Sequence, residues 1–529
     1  MADGSTPTQV REVERKYTIP KGQALPPVTD LPGARAEPVE LARLVARYFD
    51  TPDLRLLRLG MTLRRREGGP DEGWHLKVPD GGARTEVRLP LDAGGAAHPP
   101  EGLTRLLRAV VRGRPLLEVA QIATERRRHG FLDGEGRDVA EVVEDRVRAT
   151  VDGQTGELRW REIEVEDHTD DGGLAGTIDE RLTAAGILPA QSPSKLHHAL
   201  ATAGRPVEPE TSDGGHPLRR YLREELANLV LADVGVRLEA HESVHSMRKA
   251  ARRLRSALQS YGPVLDAAER AAPLVEDLRW LGRRLSEARD VEVQHERALT
   301  RIADSPVPHR EAVQARLEEF FTQRGATART LMLETLDSAR HVELLDAMEA
   351  LVGELDARDA RDELDARDGL DGAAPATPAR RPAKRRPADL TPRAVARTLR
   401  KQARKIDTRV AKVREAASPE ERDEAVHRVR KAAKRLRYAI ETASPLFPKK
   451  AKRALTAFDD LQDMLGEFQD ATVARAHLLE ASADQGHSAE SSFALGIAYQ
   501  REVEIAEAQV AELRPMWKGA RRRARPLWS

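Results

Sequence analysis

The sequence predicts an α+β N-terminal domain with an eight-stranded antiparallel β-barrel, followed by an all-α helical-bundle domain with an internal repeat. The first observation is a series of short segments before residue 203 in which charged and aliphatic residues alternate, as they do in β-strands. The second is a helical pattern that runs from Pro217 onwards. The third is a basic helical segment that occurs twice, beginning at Val244 and again at Val426.

Length and composition limit the class of protein. A chain of 529 residues is long enough for about three domains. The 87 basic and 86 acidic residues nearly cancel, so charge is informative only locally. There is no cysteine, which excludes disulfides, thiolate metal sites and cysteine nucleophiles. No apolar run reaches the ~18 residues that span a bilayer, and residues 1–11 lack a signal-peptide core. We therefore expect a soluble cytoplasmic protein without a membrane partner.

The opening strand is predicted at residues 12–18. Alternation places Glu12, Glu14 and Lys16 on one face, with Val13 and Tyr17 on the other. Two carboxylates and an ammonium on one face suit a hard divalent cation beside an anion. One strand of this kind is more often a solvated edge with surface ion pairs, so the interpretation depends on recurrence of the pattern.

The pattern recurs in later segments that glycine and proline turns separate. The predicted strands lie at 46–51, 61–66, 74–78, 84–89, 117–128, 139–149 and 158–167. Short helices are expected at 40–46, 103–112, 182–186 and 194–203.

The distribution of charge over these strands favours a closed barrel. Acids cluster on the first and last strands and arginines on the middle ones, whereas a merely solvated face would carry a mixture. An antiparallel sheet closed into a barrel brings both sets around one lumen. Such an interior must face water or a ligand, because unpaired buried charge is costly. Carboxylates would then hold one or two cations, and Arg and Lys a multiply charged anion.

Nine elements follow one another in a characteristic order: Glu12-x-Glu14-x-Lys16, Tyr48-Phe49-Asp50-Thr51, Arg64-x-Arg66, Lys77, Arg84-x-Glu86, Thr124-x-Arg126, Glu141-x3-Asp145, Glu162-x-Glu164-x-Glu166 and Ser194-Lys195. This order resembles that of a CYTH domain, a member of the triphosphate tunnel metalloenzymes, and covers about residues 8–203. The resemblance implies an eight-stranded antiparallel tunnel that binds triphosphate and hydrolyses it with Mg²⁺ or Mn²⁺.

The resemblance also implies roles for single residues. Phosphate oxygens would be bound by Arg64, Arg66, Lys77, Arg84, Arg126 and Lys195, with Lys16 assisting as a catalytic residue. The metal carboxylates would be Glu12, Glu14, Glu162, Glu164 and Glu166. Glu141 and Asp145 would be catalytic, placing a second metal or the attacking water.

This assignment agrees with the needs of phosphoryl transfer. The reaction requires charge neutralisation and in-line positioning of water more than covalent help from the protein. Arginine forks match phosphate oxygens in geometry. No Walker loop (GxxxxGK[ST]) occurs in this region, so a P-loop is not the phosphate cradle.

Composition changes mark the domain boundaries. We expect a tunnel domain at 1–203, a linker at 204–216 rich in Pro, Gly and acids, and a helical domain at 217–520. The helical domain divides into halves at about 217–350 and 390–520, with a flexible insertion at 354–388. Residues 521–525 are interpreted as a basic tail, either a solubilising end or a contact.

The repeated helices each carry a basic stripe. At about 100° per residue, the stripes comprise His245, Arg248, Lys249 and Arg252 in the first copy and His427, Arg430, Lys431 and Lys434 in the second. A Lys/Arg-rich helix face is usually just solvated, but the acids that normally accompany it are missing from both helices. Like charges stacked in this way favour a polyanion site. The paired helices resemble a CHAD domain, which implies two related halves and binding of inorganic polyphosphate.

Other functions stay open on the sequence alone. The chain could be a non-catalytic polyphosphate-binding protein, or a nucleotide enzyme such as an adenylyl cyclase or thiamine triphosphatase. The acidic set favours hydrolysis, since a pure binder of phosphate has no need of it, and no base-recognition pocket is identified. Nucleic acid is disfavoured because almost no aromatic residues interleave the basic stripes. We therefore expect inorganic triphosphate and polyphosphate as partners, and association with polyphosphate granules in the cytoplasm.

Overall fold

A computed structural model describes residues 8–12, 14–20, 22–28, 31–81, 83–168, 173–207, 217–263, 267–303, 310–368, 392–483 and 489–528. The chain forms two compact units, Met1–Ser212 and Asp213–Ser529. Among the described helices, none combines the length and the apolar character needed to cross a membrane.

The first unit is built around one antiparallel sheet. Its strands are β1 Thr8–Glu12, β2 Glu14–Thr18, β3 Arg35–Ala36, β4 Glu40–Asp50, β5 Thr62–Glu67, β6 Gly73–Asp80, β7 Ala83–Leu89, β8 Leu117–Leu132, β9 Asp138–Val151, β10 Leu158–Asp167 and β11 Leu188–Pro189. Its helices are α1 Arg55–Arg58, α2 Glu101–Leu106, α3 Arg108–Val111, α4 Gly173–Ala184 and α5 Lys195–Thr202, with a 3-10 turn at Leu91–Ala93.

The sheet curls until its two ends meet. The strand order is β1-β7-β6-β5-β4-β8-β9-β10-β2-β11, so β1 and β2 lie near opposite ends of the order although a single residue separates them in the chain. Two trans peptide units span at most about 7.6 Å, which holds the ends together. Counted with β1 and β2 as one interrupted strand, eight strands surround the lumen among the described residues. The prediction of a curled antiparallel sheet followed by a helical domain is confirmed.

One short helix was predicted wrongly. Residues 40–46 belong to the strand β4, which pairs with β8 from Glu40 opposite Arg128 to Asp50 opposite Leu117. This continuous ladder satisfies the backbone along the whole segment, and such tertiary pairing overrides the weak helical preference of Glu, Leu and Ala.

Two apolar layers lie on opposite faces of the sheet. Outside, Tyr17 and Ile163 pack against Ile178 and Leu182 of α4. Inside, Val147, Ala149, Val151 and Ile122 pack against Leu196 and Leu200 of α5. The helix α5 begins where Ser194 accepts a hydrogen bond from the backbone N–H of His197 at 3.1 Å. Its apolar side therefore fills one end of the lumen, and the charged residues occupy the remainder.

The second unit is helical. Its helices are α6 Pro217–Arg237, α7 Ser243–Tyr261, α8 Ala268–Ala303, α9 Arg310–Asp337, α10 Ala339–Asp368, α11 Pro392–Val413, α12 Pro419–Thr442, α13 Pro448–Ala483 and α14 Ala489–Ala524, with 3-10 turns at Ser444–Leu446 and Arg525–Leu527. The repeated basic segments form α7 and α12, which pack on each other. Their predicted apolar faces are buried, including Met247 and Leu254 in α7 and Val429 and Leu436 in α12.

The insertion between the halves differs in part from the expectation. Helix α10 continues to Asp368, so residues 354–368 of the expected flexible segment 354–388 are helical. Leu, Ala and Arg are good helix formers, and Asp and Arg recur at helical spacings in this stretch, which favours the helix over the coil. Residues 369–388 lie outside the described part of the chain.

Candidate functional site

Strand register places the acidic residues in rows across β2, β10 and β9. Glu166 lies opposite both Glu14 and Glu141, which forms a row of three carboxylates. Glu164 lies opposite Lys16 in the next row, and Glu162 opposite Asp145 in the row after it. Side chains of directly paired residues lie about 5 Å apart at their Cβ atoms, so each row acts as a unit.

Lys195 of α5 enters the lumen and binds three carboxylates. Its Nζ lies 2.9 Å from Asp145 and 2.7 Å from both Glu162 and Glu164. Burial alone would lower the pKa of this ammonium, but the three carboxylates raise it well above its ordinary value. Lys195 therefore anchors the plugging helix to the acidic strands.

Glu164 is the centre of this buried network. It also pairs with Lys16, and it accepts a hydrogen bond of 2.8 Å from Arg126 Nη2. Arg126 binds Asp145 with two hydrogen bonds of 2.9 and 2.8 Å. Burial would raise the pKa of Glu164, yet the charges of Lys16, Lys195 and Arg126 hold it well below its usual range.

Two sets of acids could receive a cation. Asp145, Glu162 and Glu164 each offer an oxygen within 4.8 Å of the others, but Lys195 Nζ already lies among them. In the row of Glu14, Glu141 and Glu166, the cations lie at the ends, where Lys16 and Arg84 approach Glu14 and Arg128 donates to Glu141, and 9%, 13% and 24% of these side chains are exposed. Carboxylate oxygens are the ligands that Mg²⁺ and Mn²⁺ prefer. The residues of this row are therefore a second candidate for holding a hard divalent metal, while the oxygens of the buried triplet lie closest together.

The opposite wall of the lumen is basic. Its centre is the fully buried Glu86, whose oxygens lie 2.9 Å from His75 Nδ1, 3.5 Å from Arg64 Nη2 and 3.9 Å from Lys77 Nζ. Burial would raise the pKa of Glu86, but the hydrogen bond from His75 and the charges of Lys77 and Arg64 lower it. One acid thus holds several cations in place.

Arg66 carries positive charge that its surroundings do not fully compensate. It is buried, pairs with Asp71, and donates from Nη2 to the Asp71 carbonyl at 3.1 Å. Burial, together with the like charges of Arg64 and Arg126, lowers the pKa of Arg66 to about 9. The three guanidinium groups therefore repel one another across the lumen, and an anion between them would relieve that repulsion.

The two walls are joined by direct contacts. Arg84 Nη1 lies 3.4 Å from Glu14, which in turn lies 3.4 Å from Lys16, and Arg84 Nη2 donates to the Pro193 carbonyl at 3.0 Å. At the other side Arg128 Nε donates to Glu141 at 2.5 Å. The backbone of Glu12 pairs with Arg84, but its side chain lies outside the described part of the structure. Every other residue predicted for the tunnel lies on this lumen.

The sequence pattern assigns no role to His75, and it includes Glu86 only as part of Arg84-x-Glu86. The alternation that selects Lys77 also selects His75, so this signal was present. Structure was needed to show that a buried acid organises the basic wall. Glu144 and Arg161, which precede Asp145 and Glu162 in the chain, face away from the lumen. They pair with each other at 2.5 Å on the outer side of the sheet.

In the helical unit, the two basic stripes meet. Arg248 and Arg252 of α7 lie close enough to Arg430 and Lys434 of α12 to affect their titration. Burial and the charges of Arg430, Arg252 and Arg248 lower the pKa of Lys434 to about 6. Burial likewise lowers the pKa of Arg430, against the opposing charge of Asp470. Four basic side chains from both repeats, Arg248, Arg252, Arg430 and Lys434, thus form one cluster, termed the inter-repeat cluster.

The other members of the stripes border this cluster. His427 Nδ1 hydrogen-bonds Gln469 at 2.5 Å, and Arg248 Nη2 lies 3.4 Å from Asp290. His245, Lys249 and Lys431 are exposed. The acids Asp290 and Asp470 occupy equivalent places in the repeat, so the cluster has some internal compensation on both sides.

Two family models match the chain. The CYTH domain model matches residues 10–200, and the CHAD domain model matches residues 220–479. Among solved structures, PptA from Streptomyces chartreusis is 20% identical, with a TM-score of 0.41, and covers 57% of this chain and 98% of its own. The CHAD domain from the plant Ricinus communis is 24% identical, with a TM-score of 0.40, and covers 57% of this chain and 90% of its own.

One relative is similar to this chain over nearly the whole length of both proteins. The uncharacterized protein Rv2226 of Mycobacterium tuberculosis (strain ATCC 25618 / H37Rv) is 34% identical over 526 residues, which are 95% of this chain and 94% of that protein. With the two family models, this similarity identifies the chain. It belongs to the family of proteins in which a CYTH domain is followed by a CHAD domain.

Proposed function

We propose that the N-terminal domain is a metal-dependent triphosphatase that hydrolyses inorganic triphosphate or the end of a polyphosphate chain. Members of the CYTH family are mostly metal-dependent phosphoryl-transfer enzymes. The observation that carries the proposal is the convergence of Arg64, Arg66 and Arg126, with the pKa of Arg66 lowered to about 9, in one lumen with the carboxylates of Glu14 and Glu164. An anion of several charges relieves the repulsion among the arginines.

The apolar plug supports a substrate that enters by its end. Leu196 and Leu200 of α5 fill one end of the lumen. A chain of phosphates can then present its terminal groups to the arginines but cannot thread through. This favours triphosphate and chain ends over internal cleavage of a long polymer.

The proposed mechanism assigns different tasks to the two walls. Arg64, Arg66 and Arg126 donate hydrogen bonds to phosphate oxygens and neutralise charge in the transition state, with Lys77 and Arg84 beside them. Lys16 supplies a further ammonium. Asp145 is a positioning residue, because its oxygens hold Arg126 and Lys195.

Glu14, Glu141 and Glu166 would hold Mg²⁺ or Mn²⁺. When bound, the metal supplies Lewis-acid activation of phosphate oxygens and lowers the pKa of water. Glu141 and Glu166 lie on neighbouring strands at the same level as Glu14, so strand register brings the three carboxylates into one row.

Phosphate release tests the proposal. We expect the full-length protein to release phosphate from triphosphate with Mg²⁺ or Mn²⁺ and not with a chelator, and Glu14→Ala to abolish the release. The matched control is Glu67→Ala, since Glu67 is exposed at the end of a strand. Parallel assays with ATP, thiamine triphosphate and long polyphosphate identify the substrate class. Equal release by Glu14→Ala would contradict the metal role, and binding without any release would indicate a non-catalytic tunnel.

We further propose that the helical domain binds inorganic polyphosphate at the inter-repeat cluster, which would place the protein on polyphosphate granules in the cytoplasm. The pKa of Lys434 near 6 leaves this amine mostly neutral at pH 7.5, and a bound polyanion raises its pKa. Binding should therefore take up as much as about one proton.

Calorimetry in buffers of different ionisation enthalpy measures this uptake. We expect Lys434→Met to bind polyphosphate more weakly and to lose most of the buffer dependence. Lys450→Met, which changes an exposed lysine at the start of α13, should leave both quantities unchanged. A wild-type binding enthalpy that is the same in all buffers would refute the linkage to Lys434.

A further inference from the structure

A second basic surface lies in the helical unit, apart from the inter-repeat cluster. A groove of about 750 Å³ runs between α11 and α14. Eight cationic residues line it: Arg400, Arg404, Arg414, Arg514, Lys518, Arg521, Arg522 and Arg525. None of them belongs to the repeated stripes. Helical spacing explains why these cations line one groove, because residues three, four and seven positions apart share one face of a helix.

Most of this charge is uncompensated. The single acid on the groove wall is Asp407, which lies 3.1 Å from Arg521 Nε and accepts a hydrogen bond of 3.0 Å from Trp517 Nε1. Within the described ranges of the chain, the other seven cations form no ion pair. Like charges at these spacings repel, and a bound polyanion removes that cost.

The groove also offers aromatic and apolar surface. Trp517 is buried on its floor, Trp528 is half-buried at its end, and Ala403 and Val410 add apolar surface. A chain of inorganic phosphate has no apolar part to cover such surface, whereas a nucleobase stacks on an indole ring. The combination of a cationic wall and an exposed aromatic edge is the usual design of single-strand binding surfaces.

Length favours a polymer over a free nucleotide. The cations on the α11 side of the groove extend from Arg400 in the helix to Arg414 just after its end, which is about 21 Å at 1.5 Å per residue. A single nucleotide would engage only part of this wall. We propose that the groove between α11 and α14 binds single-stranded nucleic acid, with its phosphates on the two arginine walls and a base on Trp528.

Fluorescence anisotropy of the full-length protein with a labelled 12-residue oligodeoxythymidine tests the proposal. We expect Arg404→Glu/Lys518→Glu to weaken binding at least tenfold. The slope of log affinity against log salt concentration should become smaller in magnitude by about 1.4. We expect Trp528→Ala to weaken binding by about 5- to 150-fold. The matched control is Lys401→Glu/Lys405→Glu, which reverses two exposed charges of α11 that do not line the groove. Thermal unfolding verifies that the variants fold.

Competition separates nucleic acid from phosphate alone. Inorganic polyphosphate should displace the oligonucleotide less well, per phosphate, than unlabelled oligonucleotide does, and its own affinity should not depend on Trp528. The proposal is overturned if the wild-type protein fails to bind the oligonucleotide at low salt. It is also overturned if the groove variants bind as the control does, or if polyphosphate competes equally well.

Discussion

Exchanging Arg64 for methionine is expected to lower kcat/KM for phosphate release from triphosphate by about 10²- to 10³-fold, the usual effect of removing one donor to a transition-state oxyanion. Arg64 lies on the lumen face of β5, held by Glu86 at 3.5 Å and next to Tyr48. Methionine keeps the length and the apolar stem but removes the charge and the donors. The reduction should appear mainly in kcat if Arg64 acts on the charge that develops during transfer.

The matched control is the neighbouring residue. Arg65→Met removes the same group from the opposite face of β5, where Arg65 pairs with Glu67. We expect this variant to retain wild-type kinetics. Steady-state phosphate release at several triphosphate concentrations gives kcat and KM for both. A loss of similar size in the two variants would mean that the strand, and not the lumen guanidinium, is responsible.

Replacing Lys195 by methionine is expected to lower the free energy of unfolding of the N-terminal unit by about 3–5 kcal/mol, as is usual when one partner of a buried ion pair is removed. The ammonium is 8% exposed and lies within 2.9 Å of three carboxylates. Without it, the buried carboxylates of Asp145, Glu162 and Glu164 repel one another, with only Arg126 and Lys16 left to compensate their charge. The helix α5 also loses its charged attachment to the strands.

The pH dependence of the free energy of unfolding distinguishes repulsion among the carboxylates from loss of packing. In the wild-type protein the pKa of Glu164 is lowered, so its contribution to stability is present above about pH 4.5 and is lost as the pH falls further. In Lys195→Met these buried carboxylates keep only Arg126 and Lys16 as cationic partners, so protonation relieves more repulsion than in the wild-type protein, and the variant gains stability relative to wild type as the pH falls from 7.5 towards 5. Urea unfolding at both pH values should show the difference from wild type becoming smaller at pH 5. Lys518→Met, at an exposed lysine, is the control. A difference that is equal at both pH values would indicate packing alone.

Much of the tunnel was predictable because strands alternate strictly. Arg64 and Arg66 are separated by two positions, as are Glu162 and Glu164, and each pair shares the lumen in the structure as the pattern indicated. The register of Arg126 and Asp145, which are cross-strand partners, follows from the same rule. The error at residues 40–46 arose because local propensity contains no information on the long partner strand β8.

Contacts between distant elements were not predictable. Nothing in the spacing of Lys195 indicates that its ammonium lies among three carboxylates, since that depends on how α5 enters the barrel. Residues 521–525 were interpreted as a basic tail, whereas Arg521 lies in α14 and pairs with Asp407. A helical periodicity defines a face but not the helix that the face meets, so the groove could only be found in the structure.

The interrupted strand at residues 8–18 also sets the order of assembly of the first unit. The residues Lys16 and Glu164 that join β2 to β10 are 148 positions apart in the chain. Contacts between residues so far apart in the chain form late, because the entropy of closing the intervening loop is lost before the contact can stabilise the structure. During synthesis β2 therefore waits as an unpaired edge until β10 has left the ribosome, and a chain cut short before that point presents two open edges that invite aggregation.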